Sequence, residues 1–500
     1  MLWLHEYNLE NSNIKILDKL PNRRKIEITP IGGFYDRLFT PRRKHMIDKN
    51  DQSIGKNKAV TISMILTLAL PAIIENVLQV FLGVADTYFV SKLGTEAIAA
   101  VGATNLTMNL FISLFLAVSV GATAVISRYV GGNNTKQAVN SSKQALILGL
   151  FIGAVFGVVN VIFAPQIMSM LGAEDAALAY SIPYYRIVAG PLFLVGGIYA
   201  LSSTLRASGD TKSPMKAAAI SNVVNIILDY ILIFGIFNIP GMGIKGAALA
   251  TTIARCVNLI LLIRVLGGYK SPLHIDFTSK WTIERKTIKA ILKIGFPAAI
   301  EKIIMRSGQL LYGGMIISIG TAAYAAHNIA GTIESFSYLP GMGFGVAAAT
   351  LVGQQLGAKQ KSQAVKAGKL SYMLGTGLMM MVGLVFFVFA RPLATLFSKD
   401  KEVIDQVVIV LRIIACFQPF LSSTLVTTSA LQGGGDTKFP MYISLLGIWG
   451  VRVLGVYILS IKLGFGLVGV WSAYALDVTI RGTILWKRFM NGRWLSSNVV

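Results

Sequence analysis

Two stretches of this 500-residue chain recur at one fixed spacing. Residues 70–75 (LPAIIE) return as residues 296–301 (FPAAIE), and residues 205–215 (LRASGDTKSPM) return as residues 431–441 (LQGGGDTKFPM). Each stretch and its copy are separated by 226 positions. In an apolar chain, a repeat of this length predicts two homologous bundles of membrane helices. Proteins with that architecture are mostly transporters whose binding site lies between the halves.

The composition supports a membrane location for both bundles. The chain is 54% hydrophobic and only 14% charged, whereas soluble domains carry about 25% charged residues. Its mean hydropathy is +0.63. Two cysteines, Cys256 and Cys416, both lie in apolar runs, so no disulfide or metal framework is expected from them. The chain is therefore a polytopic membrane protein.

Twelve apolar segments are long enough to cross a bilayer, and helix is the assignment that satisfies their backbone groups in lipid. The predicted fold is all-α, with six spans in each half. Since six is an even number, the second half inserts in the same orientation, which makes the halves parallel repeats. The predicted spans lie at about residues 60–90, 98–128, 139–164, 184–205, 215–237, 244–266, 290–318, 322–352, 367–390, 406–431, 439–461 and 466–488.

The domain boundaries follow from these spans. We predict a cytoplasmic N-terminal extension (1–57), an N-lobe (58–266), a basic cytoplasmic linker (267–289), a C-lobe (290–490) and a cytoplasmic tail (491–500). Four alternate loops hold seventeen Lys and Arg residues, whereas the opposite face holds six. The positive-inside rule therefore places both termini in the cytoplasm. The same bias explains the net charge of +23, so no nucleic acid partner is expected.

Placing acidic and amide side chains inside membrane spans costs free energy, so each of them requires a structural or functional explanation. Gln79 and Asp86 share one face of the first span, and Asn225 and Asp229 share one face of the fifth. Carboxylates with amide oxygens between them suit Na⁺, or a carboxyl that exchanges a proton. The alternative is a structural polar contact between the two helices. Pro71, fifteen residues before Asp86, is expected to bend the first helix.

The repeat itself favours the functional alternative, because these polar residues do not recur. The positions 226 residues further on hold other residue types, whereas a purely structural polar contact is expected to recur in both halves. The positions 226 further on are Met305 for Gln79, Tyr312 for Asp86, Val451 for Asn225, and Gly455 or, with a small slip, Arg452 for Asp229.

The remaining polar residues in the spans have mostly structural explanations. Glu75 and Glu301 recur and suggest packing or gating, with Lys302 as a partner for Glu301. Arg255 is predicted to pair with Asp477 across the halves, and Asp477 also has Arg481 at i+4. Both Gly-Asp-Thr-Lys copies are predicted to be capped turns rather than phosphate loops. The candidates for lining the substrate site are Met305, Gln309, Tyr312 and Glu334.

With its Pro71 helix ending in Val84–Thr87, its Asn225-x-x-x-Asp229 motif and both Gly-Asp-Thr-Lys turns, the chain resembles the multidrug and toxic compound extrusion (MATE) family, in its DinF-like bacterial branch. The resemblance covers about residues 58–490. It implies two six-helix lobes that export small cationic amphipathic compounds in exchange for H⁺ or Na⁺. It assigns ion coupling to Asp86, with Gln79, Asn225, Asp229 and Thr251 or Thr252 around it.

The resemblance further implies a plasma-membrane monomer without a cofactor other than the coupling ion, surrounded by membrane lipid. The acid that a related branch carries within its seventh helix is absent, since that stretch reads Met305-Arg306-Ser307. A lipid-linked oligosaccharide flippase of the same superfamily is the alternative, and Arg306, Arg412 and Arg452 point toward it. No motif of an intramembrane enzyme is present, and the chain is not expected to be an enzyme.

Overall fold

The computed structural model describes residues 59–171, 175–236, 239–269 and 271–497. The predicted N-terminal extension (1–57) and the last three residues of the predicted tail lie outside this part of the chain. Within it the fold is all-α apart from one antiparallel pair of two-residue strands, β1 (Gly235–Ile236) and β2 (Ile239–Pro240). The prediction of an all-α membrane protein is confirmed.

Each half begins with three long helices. The helices of the first half are α1 (Ile62–Ser91), α2 (Thr95–Gly131), α3 (Thr135–Ile162), α4 (Ala164–Met170), α5 (Asp175–Ala189), α6 (Leu192–Ala207), α7 (Lys212–Phe234) and α8 (Ile244–Gly267). Those of the second half are α9 (Arg285–Ile319), α10 (Thr321–Gly357), α11 (Lys361–Val388), α12 (Ala390–Thr395), α13 (Lys401–Gly433), α14 (Lys438–Lys462) and α15 (Gly466–Met490). A 3₁₀ turn, Arg493–Ser496, follows.

All twelve predicted spans have a helical counterpart. Nine described helices are long and apolar enough to cross a membrane, and the pair α5 and α6, bent by 40°, makes a tenth. The other two, α9 and α15, contain 35 and 25 residues but carry charged side chains such as Arg306 and Asp477. The predicted fourth span is broken at Pro191, which has no N–H to continue the helix. Helix α9 begins at Arg285, within the predicted linker.

The two Gly-Asp-Thr-Lys copies form the predicted turns. Gly209 and Gly435 adopt φ of +96° and +89°, a left-handed conformation that suits glycine. Asp210 caps α7 by accepting hydrogen bonds from the backbone N of Ser213 at 2.9 Å and from its hydroxyl at 2.6 Å. Asp436 instead forms an ion pair with Arg488 at 2.9 Å. The predicted cap by the aspartate side chain is therefore confirmed in the first copy, at Asp210, and not in the second.

The halves share a core at one end only. At the end where α2 and α10 terminate, Val60, Ile65 and Leu68 pack among residues of α10, and Ile291 and Ile294 of α9 pack among residues of α2. At the opposite end, each described core cluster contains residues of one half alone. We call the shared end the closed end.

Glycines and a repeated hydrogen bond hold the closed end together. A Cβ on Gly131 of α2 would lie 1.8 Å from the carbonyl oxygen of Gln354 in α10. Arg128 Nη1 donates to the carbonyl of Ser497 at 2.8 Å, and Gln354 Nε2 donates to the carbonyl of Ala207 at 2.8 Å. Because Arg128 and Gln354 are 226 positions apart, the same helix position reaches across in each half.

Helix α14 contains an insertion relative to its counterpart α7. It begins 226 positions after α7, at Lys438 and Lys212, but ends 228 positions after it, at Lys462 and Phe234. Two π-helical stretches, Leu446–Val453 and Val456–Lys462, accommodate the two extra residues. Side chains in α14 are therefore displaced from the positions that a constant spacing of 226 predicts.

Candidate cation site

Three helices of the first half bring Asp86, Asn225, Asp229 and Thr251 together. Asn225 and Asp229 are almost completely buried, and Asp86 is half-buried. With its amide oriented to satisfy its neighbours, Asn225 Nδ2 lies 2.9 Å from Asp86 Oδ1 and 3.2 Å from Asp229 Oδ2. Its oxygen accepts from the backbone N of Thr251 at 3.1 Å. Four predicted residues thus form one cluster, which we call the cation cluster.

The two carboxyl groups of the cation cluster lie close together. The amide nitrogen of Asn225 is within hydrogen-bonding distance of both Asp86 and Asp229. Two ionised carboxylates placed so close repel each other, and a proton or another cation relieves this repulsion. The geometry is therefore that of a site whose negative charge attracts a small cation.

The orientation of Asn225 bears on which cation fits. Its Nδ2 hydrogens point at both carboxyl groups, and its oxygen is engaged by a backbone N–H. Na⁺ binds oxygen ligands, so Asn225 contributes its side-chain oxygen to a Na⁺ site only with its amide turned over. The hydroxyl of Thr251 donates to the carbonyl of Ala247 at 3.1 Å, away from the cluster. No group of three or more His, Cys, Asp and Glu suited to a metal occurs in the described part of the chain.

Two other predicted residues lie on α1 outside the cluster. Gln79 is exposed and has no hydrogen bond to Asp86 or Asn225 in the structure. Pro71 is buried inside α1, which continues through it as helix. Asn222, one turn before Asn225, donates to the carbonyl of Leu78 at 2.9 Å and so ties α7 to α1.

Sequence reasoning assigned Arg255 the wrong partner. Instead of reaching Asp477 in the other half, its Nη1 donates to the carbonyl of Val188 in α5 at 3.0 Å. Its charge acts on Asp86 and on the hydroxyl of Tyr184. The four-residue spacing from Thr251 to Arg255 was the available signal, because it places both on one face of α8.

The second half fills the corresponding place with an arginine. Arg452, in a π-helical stretch of α14, lies with Cζ 4.2 Å from the ring centroid of Tyr474 and 5.8 Å from that of Tyr312. It also pairs with Asp477 at 2.6 Å. Asp477 accepts from Arg481 at 2.6 Å as well, which confirms the predicted i,i+4 pair.

The two clusters correspond helix by helix. Tyr312 is 226 positions after Asp86. Gly246 in α8 and Gly469 in α15 each pack on the backbone of the preceding long helix, which sets a local spacing of 223. That spacing places Tyr474 where the first half has Thr251. The ion-paired guanidinium of Arg452, with Tyr312 and Tyr474, thus occupies the position where the first half has the cation cluster.

Glu334 is buried beside Tyr474, one of the two tyrosines around Arg452. It is 6% exposed, and its Oε1 accepts from Tyr474 Oη at 2.7 Å. Tyr474 Oη lies 2.6 Å from the hydroxyl of Tyr338. Of the other substrate-lining candidates, Met305, Gln309 and Tyr312 are half-buried, and Gln309 Oε1 accepts from Arg306 at 3.1 Å.

The recurring glutamates are both buried but have different partners. Glu75 pairs with Arg206 at 2.6 Å. Glu301 accepts from Gln432 at 3.0 Å and from Ser444 at 3.2 Å, so the predicted pairing with Lys302 is wrong. Position 432 is 226 after position 206, and thus the same contact is ionic in one half and neutral in the other.

Polar residues are also exposed along the long helices α2 and α10. Asn105 and Asn109 of α2, and Asn328, Thr332 and Ser335 of α10, are exposed within helices that cross the membrane. Exposed amides are unfavourable against lipid tails and favour a water-filled cavity. Their three- and four-residue spacing gives α2 and α10 one uncharged polar face each.

Comparison with known proteins agrees with this arrangement. The MatE family model matches residues 71–231 and 297–458, one copy in each half. The chain is 31% identical to "Probable multidrug resistance protein NorM" of Thermotoga maritima, over 86% of this chain and 92% of that protein. It is 29% identical to "FAD transporter" of Shewanella oneidensis, over 80% and 89%.

A solved structure described as "Outward-facing conformation of a multidrug resistance MATE family transporter of the MOP superfamily" has the same fold. It superposes with a TM-score of 0.79 at 23% identity, over 87% of this chain and 96% of the other. A MOP superfamily transporter from Pyrococcus furiosus gives the same TM-score, identity and coverage. The matched fold and the two copies of the family model show that this chain belongs to the MatE family of membrane transporters.

Proposed function

We propose that the protein is a secondary active exporter that exchanges H⁺ or Na⁺ for small cationic amphipathic compounds. The observation that carries the proposal is the cation cluster of Asp86, Asn225 and Asp229, which the first half alone contains. The relatives named multidrug resistance proteins support an exporter. The cluster supports coupling to an ion, because it combines two neighbouring carboxyl groups with an amide that contacts both.

In this mechanism the coupling cation and the cationic drug compete for the negative charge of the cluster. Asp86 is ionised when the cavity holds a cationic drug, and a cation entering from outside neutralises it. Helix α1, which carries Asp86, then bends at Pro71 and narrows the cavity, which releases the drug. The cation shifts the equilibrium between states only because it binds one of them more tightly.

The orientation follows from the basic loops. Lys and Arg are concentrated in the connections at the closed end, so we place this end and both termini in the cytoplasm of a plasma-membrane protein. The structure then corresponds to an outward-open state. One chain supplies the whole cluster, and a monomer is sufficient for the mechanism.

A lipid-linked substrate remains the second candidate, because Arg306 is exposed within α9. It lies 13 residues, or about 20 Å, before the end of that helix at Ile319. Exposed arginines suit phosphate better than a cationic drug. Arg452 gives less support, since its charge is balanced by Asp477.

The test is dye efflux in proteoliposomes with pH and Na⁺ gradients imposed separately. Wild-type protein is expected to move ethidium under one of the gradients, and Asp86→Asn is expected to lose this coupled transport while expressing normally. Asp405→Asn is the matched control, because Asp405 pairs with Arg391 on an exposed surface. Wild-type efflux by Asp86→Asn contradicts the assignment of the cluster. Movement of a fluorescent lipid instead of ethidium supports the flippase.

A further inference from the structure

Helix α8 carries a second charged group beside the cation cluster. Arg255 lies one helical turn after Thr251, on the same face of α8. Its Nη1 is fixed by the carbonyl of Val188 at 3.0 Å. No carboxylate of the described chain forms an ion pair with it within 4.0 Å. Arg255 is thus a half-buried cation on a membrane-spanning helix, with no direct acidic partner in the described chain.

The surroundings of Arg255 identify its counter-charge. The groups whose charges interact with it are Asp86, Tyr184 and Tyr199. The Glu75–Arg206 pair, which also acts on Tyr199, is balanced within itself. Tyrosine hydroxyls are neutral near pH 7. Asp86, within the cation cluster, therefore supplies the negative charge that compensates Arg255.

The charges of these groups set a limit on cation uptake. Two ionised carboxylates and one guanidinium sum to one negative charge, which a single monovalent cation neutralises. A second monovalent cation would leave the half-buried guanidinium of Arg255 without a counter-charge, which is unfavourable for a partly desolvated charge.

We infer that Arg255 is the fixed counter-charge that limits the cluster to one monovalent cation in each transport cycle. Arg255 is a positioning and specificity-determining residue of the cation cluster, acting through its charge on Asp86. The second half has no such group at this level, since Val478 lies 223 positions after Arg255 and is buried. The inference rests on the proposed coupling of transport to the cluster.

The experiment measures how many cations accompany each substrate molecule. Full-length protein in proteoliposomes, with the membrane voltage held at zero by valinomycin and equal K⁺, is given a tenfold gradient of the coupling cation. One cation per cycle supports a limiting ethidium ratio of about tenfold, and two support about 100-fold, because each tenfold factor equals the same free energy. Wild type and Arg255→Lys are expected to reach about tenfold, and Arg255→Met about 100-fold.

The controls separate charge from packing and from the proposed function. Arg264→Met removes an exposed arginine from the same helix and is expected to keep the tenfold limit. A tenfold limit for Arg255→Met, or a 100-fold limit for Arg255→Lys, overturns the inference. If Arg255→Met does not fold, Arg255→Gln is measured and interpreted in the same way. Failure of the proposed function is distinct, since wild-type protein would then respond to neither gradient.

Discussion

Substitution of Gly131 by alanine is expected to open the closed end. An alanine Cβ would lie 1.8 Å from the carbonyl oxygen of Gln354 and 2.5 Å from its carbonyl carbon. Carbon and oxygen atoms in favourable contact are about 3.3 Å apart, so α2 and α10 must separate locally by about 1.5 Å. Both atoms belong to the backbone and cannot rotate away as a side chain would.

The magnitude follows from the cost of overpacking. Inserting a methyl group into a closely packed contact typically costs about 1–3 kcal/mol. The strain exists only while the halves are joined, and separation also weakens the hydrogen bond from Gln354 to Ala207. The ratio of closed to open molecules is therefore expected to fall by roughly 5- to 150-fold.

The assay is a distance measurement between spin labels by double electron–electron resonance. Lys136→Cys and Ser362→Cys place labels at exposed positions near the starts of α3 and α11, in a chain whose Cys256 and Cys416 have been replaced. Gly131→Ala is expected to add a population with a longer distance across the closed end.

The matched control is Gly102→Ala on the same helix. Nothing lies within 4 Å of a Cβ at Gly102, so this variant gains the same methyl group without the contact. Its distance distribution is expected to equal that of the parent protein. An unchanged distribution for a folded Gly131→Ala protein would refute the reasoning that this glycine contact joins the halves.

Three further predictions concern charges and the cavity. Arg206→Met leaves the buried carboxylate of Glu75 without its partner and should lower the free energy of unfolding by about 3–5 kcal/mol, whereas Arg391→Met, in an exposed pair, should cost about 1 kcal/mol or less in thermal melts. Asp477→Asn leaves two buried guanidinium groups unbalanced, and recovery of folded protein at the wild-type level would contradict that ion network. Gln309→Ala should reduce ethidium transport only in part, because the side chain is uncharged and half-buried, and its complete loss would show that the second half contributes more than proposed.

The sequence determined much of this protein because membrane helices leave strong local signals. The 226-residue repeat, the twelve spans and the bias of basic residues depend on chain length, apolarity and charge, all of which can be counted. The composition of the cation cluster was also predictable. A spacing of four residues places Asn225 and Asp229 on one helix face. The corresponding positions of the second half carry no carboxyl or amide residues, which pointed to the first half as the site.

Other features depended on which helices meet, and periodicity within one helix does not specify its partner. The sequence made Glu334 a candidate for lining a substrate site, but only the packing of α10 against α15 identifies Tyr474 as its hydrogen-bond partner. Arg255 was assigned to Asp477, but the fold turns it toward Val188 and the cation cluster. Glu334 and Arg255 thus each contact partners in their own half of the chain.

The register of α14 was likewise decided only in three dimensions. A constant spacing of 226 relates Asn225 to Val451, but the π-helical insertion and the packing of α14 against α15 bring Arg452 to that place. A single inserted residue rotates a helix by about 100°, which exchanges one face for another. The sequence by itself therefore determined that the halves share a scaffold and that the Asp86, Asn225 and Asp229 residue types occur at these positions in the first half alone. Tertiary structure decided that the other half holds a tethered guanidinium in the same position, because side-chain contacts rather than spacing set the register.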